Sequence, residues 1–488
     1  MIVDPDNGLK TLSDSDDHNV ITTQTRLAPQ SNELTERRRA ALAEIDTAKF
    51  GWFHVRAVLV SGVGFFTDAY DILYMRIMSL MAPDCNHSFA INIASIMLGY
   101  ILTQGSSLTS NQDLGIKVAT PVGTFCGQLL FGWLADVYGR KRMYGIAIRI
   151  RGRMMTAVFA SQGFGQLTAA LVALIVVKAF ESSIKEDLIA GNSVDYCWRL
   201  LIGLGALPGA VALYFRLTIP ETPRYTMDIE RDIQGAAGDV DAFLSTGGYA
   251  HDYEKPATRA EVPKASRRDF LHHYSQWQNF KILFGCAWSW FALDVAFYGL
   301  GLNSSIVLKA IGYGTATTGT KNEQIYQTLI NVSSGNVILS VAGLIPGYWV
   351  AFAFIDWWGR KPIQMMGFTT LTVLFIVMGT AYHQLIQHTV GLFIAFYCLA
   401  NFFQNFGPNT STSHGISAAS GKLGAIIAQV GFARLKDIGG KDQFIDHIFQ
   451  IFAGFMFTGL LSTFLLPETK GKSLEELSGE DQDGFVQS

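Results

Sequence analysis

Charge is the scarcest ingredient of this 488-residue chain: only 16% of its residues are Asp, Glu, Lys or Arg. A soluble globular chain carries about a quarter. The shortfall excludes an ordinary water-soluble protein, and a hydrophobic share of 49% points the same way. Cysteine is sparse as well. Cys85, Cys126, Cys197, Cys286 and Cys398 stand apart, without the paired spacing of a disulfide framework or a metal site. The ten histidines show no ligand spacing. A Walker loop, a nucleophile elbow and a metal cluster are all missing, so neither an enzyme nor a cofactor is expected. The net charge of −3 argues neither for nor against nucleic acid, and no such partner is expected. The first 50 residues are polar, which excludes a cleaved signal peptide there and reads as a disordered cytoplasmic tail.

What the chain has instead is long apolar runs. Stretches of about 20 apolar residues with few charges read as membrane-spanning helices. They fall near Phe53–Ile72, Ile116–Ala135, Met154–Val177, Cys197–Ile219, Ile282–Leu308, Ile330–Ile355, Ile363–Tyr382, Thr389–Pro408, Gly415–Ala433 and His447–Leu466. The expected fold class is an all-α polytopic membrane protein in the lipid bilayer, with about 10 spans. A shorter run, Phe89–Gln104, is expected to belong with the first span or to lie at the outer surface. Lys and Arg favour the cytoplasmic side. They gather at Arg37-Arg38-Arg39, in "GRKRMYGIAIRIRGRMM" (Gly139–Met155), in the polar stretch Pro220–Gln278 and at Arg360-Lys361. Placing all of these inside makes both termini cytoplasmic. The expected domains are a tail at 1–51, a helical bundle at 52–219, a central cytoplasmic loop at 220–278, a second bundle at 279–466 and a tail at 467–488.

The two bundles repeat each other. "DVYGRKR" (Asp136–Arg142) returns as "DWWGRKP" (Asp356–Pro362), and "IPETPR" (Ile219–Arg224) returns as "LPETKG" (Leu466–Gly471). Such duplication is a hallmark of secondary transporters. The repeats are unequal, however. Four apolar spans fit in the 111 residues from Asp356 to Pro467, and only two in the 84 from Asp136 to Pro220. The first bundle is short by one helical hairpin, at the stretch Gly139–Met155. Losing two spans leaves every later loop on its original side, so the basic residues do not reveal the loss.

Ionisable groups inside apolar spans are costly and mark pathways or internal pairs. Asp68 and Asp71 in "FFTDAYDI", Asp294 in "WSWFALDVAFYGLGLN" and Lys422 in "ISAASGKLGAIIAQ" qualify. Burial penalises a carboxylate's charge, which suits a proton carrier. Asp71 can equally sit at a wet helix end. Asp294 lies deep in its span. Trp290, Asp294 and Tyr298 recur every four residues, on one helix face. An indole N–H, a carboxyl and a phenol there suit an anion rich in acceptors, with Lys422 supplying charge. An aromatic packing stripe is the alternative, and the central Asp argues against it. Gln162 in "FASQGFGQL" and Asn409 in "NFGPN" can hold a ligand or bridge helices. Asp136 with Arg140, and Asp356 with Arg360, sit at cytoplasmic helix ends. Each pair can join internally or to a neighbouring span, and so bias alternating access, or simply fix topology.

Four stretches carry a family resemblance: "RAVLVSGVGFFTDAYDI", "IKVATPVGTFCGQLLFGWLADVYGRKRMYG", "WFALDVAFYGLGLN" and "NFFQNFGPNT…STSHGISAASGKLGA". Together they resemble fungal proton-coupled inorganic phosphate transporters of the major facilitator superfamily, over about Trp52–Leu477. The resemblance implies twelve spans in two six-helix bundles, with phosphate and protons as partners and uptake across the plasma membrane by alternating access. It makes Gln162, Trp290, Asp294, Tyr298 and Asn409 phosphate contacts, Lys422 a nearby cation, and Asp68 part of the proton path. The chain departs from the family at three places. The third and fourth spans are absent between "KRMYG" and "IRGRMM", and with them a signature close to "GGDYPLS". "LYMRIMSLMAPDCNHS" (Leu73–Ser88) interrupts the first span's exit, and "FGPNT" runs directly into "STSHG". The polypeptide as it stands is therefore expected to be poorly folded or inactive. Two other functions fit the sequence: a sugar or organic-anion (glycerophosphodiester) porter, since the P-E-T exits also resemble sugar-porter motifs, and a phosphate sensor signalling through its tails.

Overall fold

The structure is a computed structural model. It describes residues 151–187, 192–218, 267–310, 316–408, 416–440 and 442–470, with 312, 314 and scattered positions between 55 and 126. All the elements described are helices. In chain order they are α1 (Arg151–Ala179), α2 (Glu181–Lys185), α3 (Val194–Thr218), α4 (Arg267–Ser275), α5 (Trp277–Gly301), α6 (Ser304–Ala310), α7 (Lys321–Leu339), α8 (Ile345–Trp358), α9 (Arg360–Thr380), α10 (Tyr382–His388), α11 (Val390–Asn405), α12 (Ile416–Leu435) and α13 (Ile445–Thr463).

Two of the expected spans, Phe53–Ile72 and Ile116–Ala135, lie largely outside the described residues, as does the run Phe89–Gln104. Six of the other eight meet helices within a few residues of their predicted ends. The run expected at Ile282–Leu308 is divided, with α5 ending at Gly301 and α6 following it. The run expected at Ile330–Ile355 is part of a longer unit, Lys321–Trp358, because α7 passes through a π turn, Ser340–Leu344, into α8. At about 1.5 Å per residue, these 38 residues reach ~57 Å, well beyond a bilayer's hydrocarbon. Pro346, at the start of α8, supplies no N–H to the helix ladder, which accounts for the wider turn just before it. A further difference is α4, a short helix inside the stretch expected to be a polar loop. Among the described residues five helical segments are long and apolar enough to cross a membrane, and α11 is a shorter apolar helix.

In hydrocarbon, an apolar side chain gains little by leaving lipid for protein, so close packing and polar contacts must hold helices together. The exposed large residues fit lipid as their solvent: Ile175, Leu207, Val373 and Leu461 all point outward. Gly343 and Gly347, four apart, lie against the backbone of α11 at Cys398 and Phe402, so that two helices approach without side chains between them. A buried polar node ties α5, α9 and α13. Gln364 donates to Ser289 Oγ at 3.0 Å and to Thr463 Oγ1 at 3.1 Å.

The halves of the molecule meet along α1, which runs beside α7 and α8. At the Arg153 end, the guanidinium Nε stands 3.5 Å from Asp356 Oδ2, an ion contact without a hydrogen bond. At the opposite end, Lys178 donates to Tyr326 Oη at 3.1 Å, and Asn322 donates to the carbonyl of Asp187 at 2.9 Å. Met97 joins the apolar cluster between α1, α3 and α7 there.

Candidate functional site

The site grows from the contact of α5 with α12. Gly421 and Gly424 allow it. A Cβ on Gly421 would come within 2.6 Å of Asp294 Oδ2, and one on Gly424 within 2.5 Å of the Phe291 carbonyl. With no side chains in the way, Lys422 reaches across to α5. Its Nζ donates to Asp294 Oδ2 at 3.0 Å and to Tyr298 Oη at 3.0 Å. The ammonium also stands 4.5 Å from the Tyr298 ring centroid, in reach of its π face. The Lys422 and Asp294 side chains are only 2% and 3% exposed. The two charges are thus out of solvent and compensate each other. Asp294 is seven residues from the end of α5, nearer a terminus than the sequence suggests, but it is nonetheless buried.

Trp290 shares that face of α5. It packs with Tyr298, Tyr348, Leu344, Ala425 and Val158–Ala160, a cluster drawing on α1, α5, α8, α12 and the end of the π turn. Gln162, on α1 beside this cluster, accepts a hydrogen bond from Tyr348 Oη at 2.8 Å. The Gln162 carbonyl is thereby engaged by the other half of the molecule. Four of the predicted contacts, Gln162, Trp290, Asp294 and Tyr298, thus line one buried region together with Lys422. Asn409, Asp68, Asp71, Asp136 and Arg140 lie outside the described residues.

The second predicted Asp/Arg pair does not close on itself. Asp356 faces Arg153. Arg360 turns instead to Thr469, donating to its carbonyl at 3.0 Å and its hydroxyl at 2.9 Å. Both residues therefore use the alternative open to them in the sequence, a neighbouring segment.

Sequence reasoning missed a second buried network. Lys117 Nζ donates to Asn303 Oδ1 at 3.0 Å. Asn303 Nδ2 donates to Gln429 Oε1 at 3.1 Å, and Gln429 Nε2 to the Tyr298 carbonyl at 2.7 Å. Lys117 is a cation within an apolar run, so the rule that singled out Lys422 also applies to it. Tyr348 offered no comparable signal, since a tyrosine in an apolar helix reads as packing.

Apolar helices closing around a buried ammonium, carboxyl and phenol, in a chain that repeats its own motifs, have the build of a membrane carrier. The chain belongs to the family described as sugar (and other) transporters, whose model matches residues 147–480. It is 42% identical to the repressible high-affinity phosphate permease of Neurospora crassa, covering 91% of this chain and 90% of that one. It is 40% identical to the inorganic phosphate transporter PHO84 of Saccharomyces cerevisiae, covering 91% and 87%. Inorganic phosphate transporter 1-4 of Arabidopsis thaliana is 30% identical, covering 92% and 97%. The Neurospora comparison runs over 536 positions but uses 91% of this chain, about 444 residues, so about 90 of those positions face gaps in it.

Proposed function

We propose that the chain is a proton-coupled carrier of inorganic phosphate in the plasma membrane, working by alternating access with both termini in the cytoplasm. The observation that carries this is the buried Lys422–Asp294–Tyr298 cluster. With no anion present, Asp294 is the counter-ion of Lys422. A proton on Asp294 removes that negative charge and turns the carboxyl into a donor. Lys422, Tyr298 and Asp294 then all offer hydrogens, which an oxyanion can accept and a neutral sugar does not require. Loss of the proton restores the internal pair and expels the anion. Binding of proton and phosphate is coupled because both act on one ammonium. The names of the relatives at 40–42% identity support the substrate. Gln162, Trp290 and Asn409 complete the anion site in this reading, and Asp68 and Asp71 lead the proton toward it. Asp356 with Arg153, and Arg360 through Thr469, hold the cytoplasmic side shut, a role that Asp136 and Arg140 share.

In the same reading, the gaps against the relatives hold the missing hairpin between "KRMYG" and "IRGRMM", and the chain as it stands transports poorly. The test is labelled phosphate uptake in yeast lacking its own phosphate carriers. Two forms are compared: the 488-residue chain, and the chain with the Neurospora hairpin inserted after Gly145. Uptake that rises with the hairpin and with acidification is the expected result. A hairpin-bearing chain that reaches the membrane and takes up a sugar or a glycerophosphodiester but no phosphate would sink the phosphate reading.

A further inference from the structure

The network that begins at Lys117 joins the first half of the chain to two segments of the second, across the seam that alternating access must open. Lys117 belongs to the first half of the chain, Asn303 follows the end of α5, and Gln429 lies on α12. Lys117, Asn303 and Gln429 are 4%, 3% and 2% exposed, so these bonds are made out of water. Asn303 is used fully: its oxygen accepts from Lys117, and its amide donates to Gln429 and, at 2.9 Å, to the Gly299 carbonyl. The last bond of the chain falls on the carbonyl of Tyr298, whose hydroxyl meets Lys422. The network sits at the end of α5 remote from α4 and the basic central stretch, and Asn303 is nine residues past Asp294.

We propose that Lys117 is a positioning residue that closes the outer side over the anion site and sets Tyr298 through Asn303 and Gln429. Opening outward moves the first half away from α5 and α12. Lys117 then leaves Asn303, the Asn303–Gln429 pair loses its fixed oxygen, and the outer turn of α5 loosens where it presents Tyr298. Closing restores the chain of bonds and with it the placement of the phenol against Lys422. Closure and site assembly thus become one event. This rests on the outer side being the one assigned above, though not on phosphate being the cargo.

The test uses the full chain in membranes, with Ser304→Cys as a reporter beside Asn303. Ser304 is 1% exposed and donates to Asn336, so it reports opening of the same layer. Its reaction with a membrane-impermeant maleimide added outside is read against the chain without the added cysteine. Loss of a buried hydrogen bond to a charged group should raise that rate about tenfold in Lys117→Met and in Asn303→Leu. Combining the two should go no further than Asn303→Leu alone, because that change already breaks the link to Lys117. Lys117→Arg should stay near the parent rate. Native-like elution of each variant in detergent guards against misfolding. Equal rates in the parent, Lys117→Met and Asn303→Leu overturn the proposal, as does a double variant whose effects multiply. Inorganic phosphate provides the separate check. In the chain carrying the Neurospora hairpin after Gly145, labelling that responds to Lys117→Met but not to phosphate sinks the phosphate reading and leaves the positioning role standing.

Discussion

Lys422 and Asp294 are each tolerable only because of the other. Taking one partner from a buried ion pair leaves an uncompensated charge, at a cost of about 3–5 kcal/mol. Lys422→Met should therefore destabilise the protein by roughly that amount. The same change combined with Asp294→Leu should return stability close to the parent value, since a buried pair exchanged for apolar residues is often neutral. Thermal unfolding in detergent measures both. A double variant no more stable than Lys422→Met would mean the pair holds the fold by something other than charge compensation. Lys422 and Asp294 were legible in the sequence because a charge in hydrocarbon stands out one residue at a time. Their partnership, 128 positions apart, was not. It depends on α5 and α12 lying in contact, and Gly421 and Gly424 signal that contact only once both helices are in place.

At the scale of elements, the repeated motifs turn out to be halves of one joint. Glu468 of "LPETKG" accepts from the backbone N–H of Arg360 at 3.2 Å and of Lys361 at 3.0 Å, the first turn of α9. A carboxylate there satisfies N–H groups that the helix cannot and complements its dipole. The glycine of "DWWGRKP" makes room. Gly359 has φ +103°, where a side chain is strained, and a Cβ on it would come within 2.9 Å of Glu468 Oε2. The sequence showed that both motifs recur, but not that they bind each other. Glu468→Ala should cost about 1–3 kcal/mol by orphaning these donors, measurable as a lowered melting temperature. Glu468→Gln should cost less, because its amide oxygen still accepts.

The joint between α2 and α7, at the opposite end, is a matter of pH. Lys178 and Lys185 each reach Glu181 at 2.6 Å, and these hydrogen bonds hold its carboxyl at about 2, well below the ordinary 4.5. Lys178 also holds Tyr326 of α7. A depressed carboxyl stabilises the folded state above its unfolded value and loses that contribution as pH falls toward its folded one. Glu181→Gln should therefore melt below the parent at neutral pH. The two melting curves should converge as pH drops below about 4.5, the ordinary value for this carboxyl. Parallel curves over that range would show that the contact does not depend on the charge of Glu181.

At the scale of the whole molecule, the described helices differ in the described neighbours they meet. Among the described helices α5 packs against α4, α12 and α13, while α3 packs chiefly on α1. Tyr196, Leu200, Leu204 and Leu207 of α3 stay exposed. In the reading proposed above, a hairpin absent beside α1 would leave α3 with few neighbours. A transmembrane helix with few neighbours has fewer interhelical contacts to keep its backbone closed, so local opening should be easier there. Amide hydrogen exchange should thus be faster across α3 than across α5 and α13 in the 488-residue chain. Inserting the Neurospora hairpin after Gly145 should slow exchange in α1 and α3 and leave α13 unchanged. Uniform exchange through both halves would mean the first bundle is already complete in its own way. Sequencing the transcript bears on the origin of the gap. Message running straight through codons 72–89, 145–152 and 410–411 would make the short bundle a property of the encoded protein. Extra coding sequence at the second of these junctions would make the hairpin part of the working carrier, and the exchange difference should then vanish in the protein it encodes.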